Sequence, residues 1–218
     1  MSSHNKDTVS IATAGLSGQG LIMYTKVLMA AFKENPEWTI RTYEVLGTAH
    51  RGTLIFTHIR ISKSPNVSFL ISPGEGDIVV GFEPLEAFRV GAYYLKDGGH
   101  VITNSYSIIP VYASVGKDFF SDKPRPRGYP PLEEIYGEFR KMDCTVTSFN
   151  ATREAINLGH YAMMNMIMLG ATLATGRLPV TLEQVESKIA ELVPKGTAEM
   201  NTKALHRGNA LYRESTTE

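Results

Sequence analysis

The sequence predicts an α/β protein with a mostly parallel sheet, and three observations support this fold class. Apolar runs of strand length alternate with segments of helical spacing along most of the chain. A glycine-rich turn, GLSGQG at 15–20, joins the first strand to the first helix. Residues 77–104 form a compact strand–helix–strand unit, which is typical of parallel pairing. With 218 residues, the simplest organisation is one domain over 1–218, with its core at about 8–212.

The first predicted unit is a strand, a glycine turn and a helix. Val9 to Ala14 is a short apolar run, and 21–32 repeats apolar side chains at helical spacing. Turn amides and a helix N-terminus in this arrangement can face a ligand or a partner. Glycine permits positive φ and lets another backbone approach closely. The candidate site residues of the turn are Gly15, Ser17, Gly18, Gln19 and Gly20.

The same turn has two possible interpretations, one of which is a dinucleotide-binding site. The G-x-G-x-x-G fingerprint would place glycines at 15, 17 and 20, but position 17 is serine. The middle glycine normally lets the pyrophosphate approach the backbone. Glu44 ends the next predicted strand, where a ribose-binding carboxylate is expected. A free-standing oxidoreductase that binds NAD or FAD is therefore one alternative. The other is a turn used for strand–helix packing that faces a partner or covers a cofactor.

Periodicity and chain-breaking residues predict the remaining elements. Strands are predicted at 38–45, 53–61, 67–71, 77–82, 100–104 and 144–149. Helices are predicted at 84–95, 132–142, 151–158, 161–174, 182–193 and 195–212. The result is a Rossmann-like three-layer domain with a helical C-terminal part. The irregular stretch 105–131 has a length typical of functional or mobile loops. The helix at 161–174 is nearly all apolar and, at about fourteen residues, is a buried helix rather than a membrane span.

The strand at 53–61 and the loop before it carry both apolar and ionisable side chains. Leu54, Phe56, His58 and Arg60 share one face of the strand, so we expect that face to meet solvent or a partner. In the preceding loop, a His-Arg pair is a candidate for binding an anionic group or a partner carboxylate, although such pairs are often simply solvated. The candidate site residues of this loop are Gly47, His50, Arg51 and Gly52.

No catalytic constellation emerges from the sequence. Ser17 lacks the G-x-S-x-G context of a nucleophile, and no histidine or cysteine spacing fits a metal, so neither catalytic nor metal-binding residues are assigned. Glu83 and Glu86 lie at the start of a helix, where acidic residues chiefly complement the helix dipole. Cys144 is expected to be a small buried hydrophobe, and the methionines at 163–168 are expected to be core residues.

Composition restricts the partners and the cellular location. Lys+Arg and Asp+Glu are both 22, so the chain lacks the basic excess of a nucleic-acid binder. One cysteine excludes an internal disulfide and an iron–sulfur cluster held by this chain alone. The polar N-terminal residues lack a signal-peptide core, and no apolar run reaches membrane-spanning length. We expect a cytoplasmic protein that works as a subunit of something larger.

Several sequence blocks together resemble the gamma-type subunit of thiamine-dependent 2-oxoacid:acceptor oxidoreductases, called beta in the indolepyruvate enzymes. The family's turn G-x-G-G-Q-G is matched by GLSGQG, and its E-V-x-G-x-x-x-R-G-G block is matched by EVLGTAHRGT. Later similar blocks are GFEPLEAFR, YYLKDGGHVITN and NLGHYAMMNMIMLGATL, followed by a closing pattern at Glu199, Asn201, Ala204 and Gly208. The resemblance covers roughly residues 9–212. The GFEPLEAFR form is most similar to the branch acting on indolepyruvate, phenylglyoxylate and related aromatic 2-oxoacids.

The resemblance implies a division of labour between chains. Other subunits would carry thiamine diphosphate, Mg and [4Fe-4S] clusters, and would pass electrons to ferredoxin or NAD. This chain would bind no cofactor alone and would help enclose the site where coenzyme A meets the thiamine-bound intermediate. The family's binding loops correspond to 15–20 and 44–52. Ser17 and Thr53 replace family glycines, which implies less room for a ligand at the backbone.

Overall fold

The computed structural model describes residues 7–33, 35–45, 53–109 and 128–216. The strands are β1 (Thr8–Leu16), β2 (Thr39–Val45), β3 (Leu54–Ser62), β4 (Gly76–Gly81), β5 (Leu95–Asn104) and β6 (Thr145–Phe149). The helices are α1 (Leu21–Phe32), α2 (Pro84–Tyr94), α3 (Leu132–Lys141), α4 (Ala151–Asn157), α5 (Met164–Ala174), α6 (Leu182–Leu192) and α7 (Ala198–Thr216). A 3₁₀ turn, Tyr161–Met163, precedes α5.

The strands form one mixed sheet in the order β2-β3-β1-β4-β5-β6. Strands β1, β4, β5 and β6 pair in parallel, whereas β3 runs antiparallel to both β1 and β2. The predicted α/β class with a mostly parallel sheet is therefore confirmed. The position of β3 is the important departure from a simple strand–helix–strand repeat, because it separates β2 from β1.

Helices cover the two faces of the sheet to different extents. One face packs against α1 and the C-terminal helices, and this core includes Ile11, Ile59 and Phe32. The other face packs against α2 and α3 through a smaller core that includes Val79 and Phe139. The two cores give the predicted three layers.

The C-terminal helices pack around a close backbone contact between α5 and α7. A Cβ atom added at Gly170 would lie 1.9 Å from the Leu205 carbonyl oxygen. A Cβ atom added at Gly208 would lie 1.9 Å from the Ile167 carbonyl oxygen. Both positions therefore require glycine. The predicted burial of α5 is confirmed, since Met164 to Leu173 are all buried.

Two sequence predictions about secondary structure are wrong. Residues 67–71 are not a strand, because this segment crosses the face of β3 and is held by side chains instead of a ladder. The Ile71 amide donates to His58 Nδ1 at 2.9 Å, and Arg60 donates to the Leu70 carbonyl at 3.0 Å. The segment 161–174 is not one helix, since its first turn is 3₁₀. In the part of the chain that the structure describes, no helix is long and apolar enough to cross a membrane.

Candidate functional site

The glycine turn follows β1 at the carboxyl edge of the sheet. Gly18 and Gly20 have φ values of 99° and 87°, a backbone conformation that favours glycine. Gly15 is needed for space, because a Cβ there would lie 2.6 Å from Gln19 Oε1 and 2.7 Å from Phe82 Cβ. Ser17 does not have a positive φ, so its backbone conformation does not require glycine.

The Gln19 side chain fills the inside of this turn. Its Oε1 accepts a hydrogen bond from the Leu16 amide at 2.6 Å, and its Nε2 donates to the Phe82 carbonyl at 3.2 Å. The side chain is only 4% exposed. The carboxamide thus joins the end of β1 to the end of β4.

Ser17 and Thr53, the two departures from the family glycines, are hydrogen-bonded neighbours. The Ser17 amide donates to the Thr53 carbonyl at 2.9 Å, just beyond the Leu16–Leu54 pair of the β1–β3 ladder. The glycine turn and the start of β3 therefore meet at the same edge of the sheet, and β2 also ends there, at Val45.

Glu44 is not beside the glycine turn. It lies on β2, opposite Thr57 of β3, and β3 separates it from β1. Two strand spacings amount to roughly 10 Å. In a dinucleotide site the acidic residue ends the strand directly beside the first one, so the position of Glu44 argues against a ribose-binding role. The other predicted residues of this block, Gly47, His50, Arg51 and Gly52, lie outside the described residues.

A cavity of about 390 Å³ opens next to the turn. Its wall is mostly apolar and comes from the first turn of α1, the segment that leads into α5, and the connection between α6 and α7. Lining residues include Met23, His160, Met163, Asn165, Pro194 and Met200. Because methionine side chains are flexible and polarizable, three of them give the wall an adaptable shape.

Asn165 is the residue of this region that the sequence reasoning missed. Its side chain is 6% exposed, it lies against Gly20, and its Oδ1 atom has no hydrogen-bond partner among the described residues. A buried amide oxygen without a partner is unfavourable, and such atoms are uncommon in native structures. Its signal in the sequence was a lone asparagine inside the apolar run YAMMNMIMLG.

Glu83 has a structural role beyond the predicted first-turn acid. Its Oε2 accepts from the Glu86 amide at 2.9 Å and caps α2. Its Oε1 accepts from the Tyr129 hydroxyl at 2.6 Å and from the Ile108 amide at 3.2 Å. One buried carboxylate therefore holds both described ends of the 105–131 stretch. Burial raises the pKa of Glu86, and the nearby Arg89 guanidinium partly opposes that rise.

The described residues contain no group of three or more His, Cys, Asp or Glu side chains that could hold a metal ion. Cys144 is buried, as predicted, and burial raises the pKa of its thiol. A four-cysteine cluster cannot be built from one cysteine. This edge of the sheet therefore offers a mostly apolar cavity beside the glycine turn. The described residues do not form a complete catalytic centre.

The fold and this edge define a three-layer α/β chain with a mixed six-stranded sheet and a glycine turn at the carboxyl edge. The family model for pyruvate ferredoxin/flavodoxin oxidoreductase matches residues 10–211, and the chain belongs to this family. This result confirms the resemblance inferred from the sequence blocks.

Known relatives agree with this assignment. The indolepyruvate oxidoreductase subunit IorB of Methanothermobacter thermautotrophicus is 32% identical over 94% of this chain and 98% of its own length. The gamma subunit of a keto/oxoacid ferredoxin oxidoreductase from Geobacter sulfurreducens has a TM-score of 0.67 at 21% identity, with 95% and 98% of the two chains covered.

A second solved structure shares the fold within a much longer chain. The 2-oxoglutarate:ferredoxin oxidoreductase of Magnetococcus marinus, solved with 2-oxoglutarate, coenzyme A and succinyl-CoA bound, has a TM-score of 0.67 at 16% identity. The match covers 95% of this chain but only 31% of that one. The fold therefore also occurs as one part of a larger oxidoreductase polypeptide.

Proposed function

We propose that this chain, as a single domain over 1–218, is the gamma-type subunit of an indolepyruvate oxidoreductase. The complex would oxidatively decarboxylate an aromatic 2-oxoacid to its acyl-CoA. The observation that carries the proposal is the near full-length match to the indolepyruvate subunit, which spans 98% of that relative. Indolepyruvate is the first substrate to test and phenylglyoxylate the second.

The proposed complex places its cofactors on other chains. Thiamine diphosphate, with Mg, supplies decarboxylation there, and [4Fe-4S] clusters pass the electrons to ferredoxin or NAD. The single cysteine of this chain supports that division, because a cluster needs about four thiolates. This chain contributes a rigid edge that helps enclose the coenzyme A site and keeps bulk water out.

The glycine-turn edge is the part of this chain that we propose faces the coenzyme A and thiamine site. The first-turn amides of α1 have no carbonyl partner within the helix, and its N-cap, Gly20, offers no side-chain cap. The cavity beside them joins an apolar wall to the Asn165 amide, a combination suited to a ligand or a partner side chain with both apolar and polar parts. By their position in the matched block, Gly47, His50, Arg51 and Gly52 would extend this edge.

Affinity capture of the tagged chain from its own cells tests the proposal. We expect co-purification of thiamine-binding and cluster-binding subunits, a brown eluate, and indolepyruvate-dependent reduction of ferredoxin or a dye that requires coenzyme A. Reduction with NAD as the acceptor is assayed in parallel. A colourless chain recovered alone, without this activity, would contradict the proposal.

The free-standing NAD- or FAD-binding enzyme has no support from the comparisons. The position of Glu44, two strands away from β1, also argues against it. Calorimetry of the isolated chain with NAD(H), NADP(H) and FAD is expected to show no binding. Micromolar binding of one of these nucleotides that is lost in the Ser17→Trp variant would support that alternative.

A further inference from the structure

Among the described helices, none packs along β2 and β3 on one side of the sheet, although the Tyr94 ring at the end of α2 contacts His58. Helix α2 packs on β1, β4 and β5, whereas α1 packs on β2 and β3 from the opposite face. On the α2 side, β2 and β3 therefore present their side chains to the segment 66–72 and beyond it to solvent. Tyr43 of β2 is 48% exposed and Tyr93 of α2 is 58% exposed.

Six residues form this surface, which we call the arginine–aromatic face. Its members are Arg41, Tyr43, Arg60, Phe69, Leu70 and Tyr93.

The face is continuous because its side chains contact one another or a shared residue beneath. The Arg41 guanidinium lies 5.2 Å from the centre of the Phe69 ring. Tyr43 lies edge-on to the buried His58 ring. The centre of the His58 ring lies 4.5 Å from the centre of the Tyr94 ring. The centres of the Tyr94 and Tyr93 rings are 4.7 Å apart. The exposed aromatic rings thus rest on a packed aromatic layer rather than projecting singly into water.

The two arginines have no counter-charge within the described residues. Arg41 and Arg60 are directly opposite each other in the β2–β3 register. Arg41 donates to the Pro65 carbonyl at 3.4 Å and Arg60 to the Leu70 carbonyl at 3.0 Å, and neither has a carboxylate at salt-bridge distance there. Like charges opposite each other on neighbouring strands are destabilising. A negatively charged partner would remove this repulsion.

The two titratable rings beneath the face, His58 and Tyr94, carry no negative charge. His58 accepts from the Ile71 amide and is 2% exposed. Its pKa is lowered by burial and by Arg60, so the ring is neutral at pH 7. Burial and the nearby Tyr93 raise the pKa of Tyr94, which keeps its hydroxyl neutral as well.

We propose that the arginine–aromatic face binds another subunit of the oxidoreductase complex, through a surface that presents carboxylates among apolar side chains. This inference rests on the proposed function and adds the location and chemistry of one of its subunit contacts. Carboxylates of the partner would pair with Arg41 and Arg60, while its apolar groups would cover Tyr43, Phe69 and Tyr93. Tyrosine and arginine dominate the energetics of many protein interfaces. A protein surface fits better than a small anion, because the exposed rings are spread over a face.

Charge reversal in the complete complex tests this contact. The tagged subunit is mixed with the other subunits, and its affinity for them is measured by biolayer interferometry. We expect the double variant R41E/R60E to weaken binding on the order of 100-fold. The matched control, R140E/K141E, makes the same charge change at the exposed end of α3 and is expected to bind within about 3-fold of wild type. Equal binding by both variants would overturn the proposal.

A second experiment does not depend on charge reversal and identifies the occupant. A photo-crosslinking amino acid, p-benzoylphenylalanine, replaces Tyr93 in the assembled complex. Crosslinks to another subunit at a segment containing Asp or Glu are expected. Crosslinks only between copies of this chain, or none in an intact complex, would overturn the proposal. If wild type fails to bind the other subunits at all, the proposed function itself is contradicted, and the two failures are thus distinguishable.

Discussion

The backbone amide of Ser17 donates to the carbonyl of Thr53 at 2.9 Å, so the two residues that replace family glycines are direct neighbours. One residue follows β1 and the other precedes β3. Their contact brings the glycine turn and the second sequence block to one edge of the sheet. Because only backbone atoms make this hydrogen bond, it does not depend on either side chain.

Removing the Gln19 carboxamide should destabilise the protein. The variant Gln19→Leu keeps the size of the side chain but leaves the Leu16 amide without a partner. It also removes one of the two hydrogen bonds to the Phe82 carbonyl, which still accepts from Asn104 Nδ2 at 3.0 Å. We expect a loss of about 1–3 kcal/mol, because one buried donor left without a partner costs about that much. Urea unfolding followed by circular dichroism measures it. Gln184→Leu, at an exposed capping box, is the control and should lose about 1 kcal/mol or less. Equal losses would contradict this role of Gln19.

Replacing Gly208 should disrupt the packing of α5 on α7. In the variant Gly208→Ala, the new methyl group would lie 1.9 Å from the Ile167 carbonyl oxygen, so the helices must separate. Overpacking of this kind costs about 1–3 kcal/mol and sometimes more. We expect a lower melting temperature in calorimetry.

Gly137→Ala is the matched control for the helix contact. Gly137 lies in α3, and a Cβ there would meet nothing within 4 Å. Alanine is favoured over glycine inside a helix, so this variant should gain about 0.5–1 kcal/mol. Opposite signs for the two variants support the close contact, whereas a neutral Gly208→Ala would refute it.

Stability should fall between pH 6.5 and pH 4 in part because of His100. Burial, and the nearby Arg177 charge, lower the pKa of this ring to about 4. Below pH 6.5 the unfolded chain binds a proton that the folded chain does not, so the folded state is destabilised as pH decreases. The His100 contribution is on the order of 3 kcal/mol. His58, whose pKa burial also lowers, acts in the same direction.

The variant His100→Gln isolates this effect. Denaturant unfolding at pH 7, 5.5 and 4 should show a smaller acid loss than in wild type. His206→Gln, at an exposed histidine, should keep the wild-type loss. A His100→Gln profile parallel to that of wild type would show that this ring does not bind its proton as described.

Tyr129 should stabilise the described ends of the 105–131 stretch through Glu83. The variant Tyr129→Phe removes the hydroxyl that donates to Glu83 Oε1 and accepts from the Leu85 amide. Hydrogen bonds to charged groups contribute about 1.5–3 kcal/mol. We expect faster hydrogen exchange at Leu85 and Ile108, and a stability loss of about 2 kcal/mol. Tyr106→Phe, at an exposed tyrosine, is the control and should change neither. Unchanged exchange in Tyr129→Phe would contradict the anchor.

The sequence predicted the elements whose residues show a clear period. The first unit, the strand–helix–strand unit at 77–104 and the burial of α5 all follow from local patterns and are confirmed. Helix capping is equally local: Thr181 forms a capping box with Gln184, and Asn150 caps α4 through the Arg153 amide, each between residues only three apart.

The order of the strands could not be predicted from these patterns. A two-residue period indicates which side chains share a face, but not which strand lies alongside. Because β3 lies between β1 and β2, Glu44 is two strands away from the glycine turn. The same limit applies to His58, which lies on the face of β3 that was expected to meet solvent or a partner. The segment 66–72 buries it, although nearby Tyr43 remains exposed.

The details of the site depend on contacts between residues distant in sequence. Gln19 matched a motif, but its bond to Phe82 needs β4 beside β1. Asn165 gave only the weak signal of one polar residue in an apolar run. For Gly47, His50, Arg51 and Gly52, which lie outside the described residues, the predicted roles stay predictions.

An omission and add-back assay tests the central claim most directly. The other subunits of the proposed complex are purified without this chain, and indolepyruvate- and coenzyme A-dependent reduction of ferredoxin is measured before and after the chain is added. We expect little activity before addition, and recovery that saturates at a fixed ratio of this chain to the others. Full activity without the chain, or no recovery while the chain stays unbound, would contradict its assignment as a working subunit.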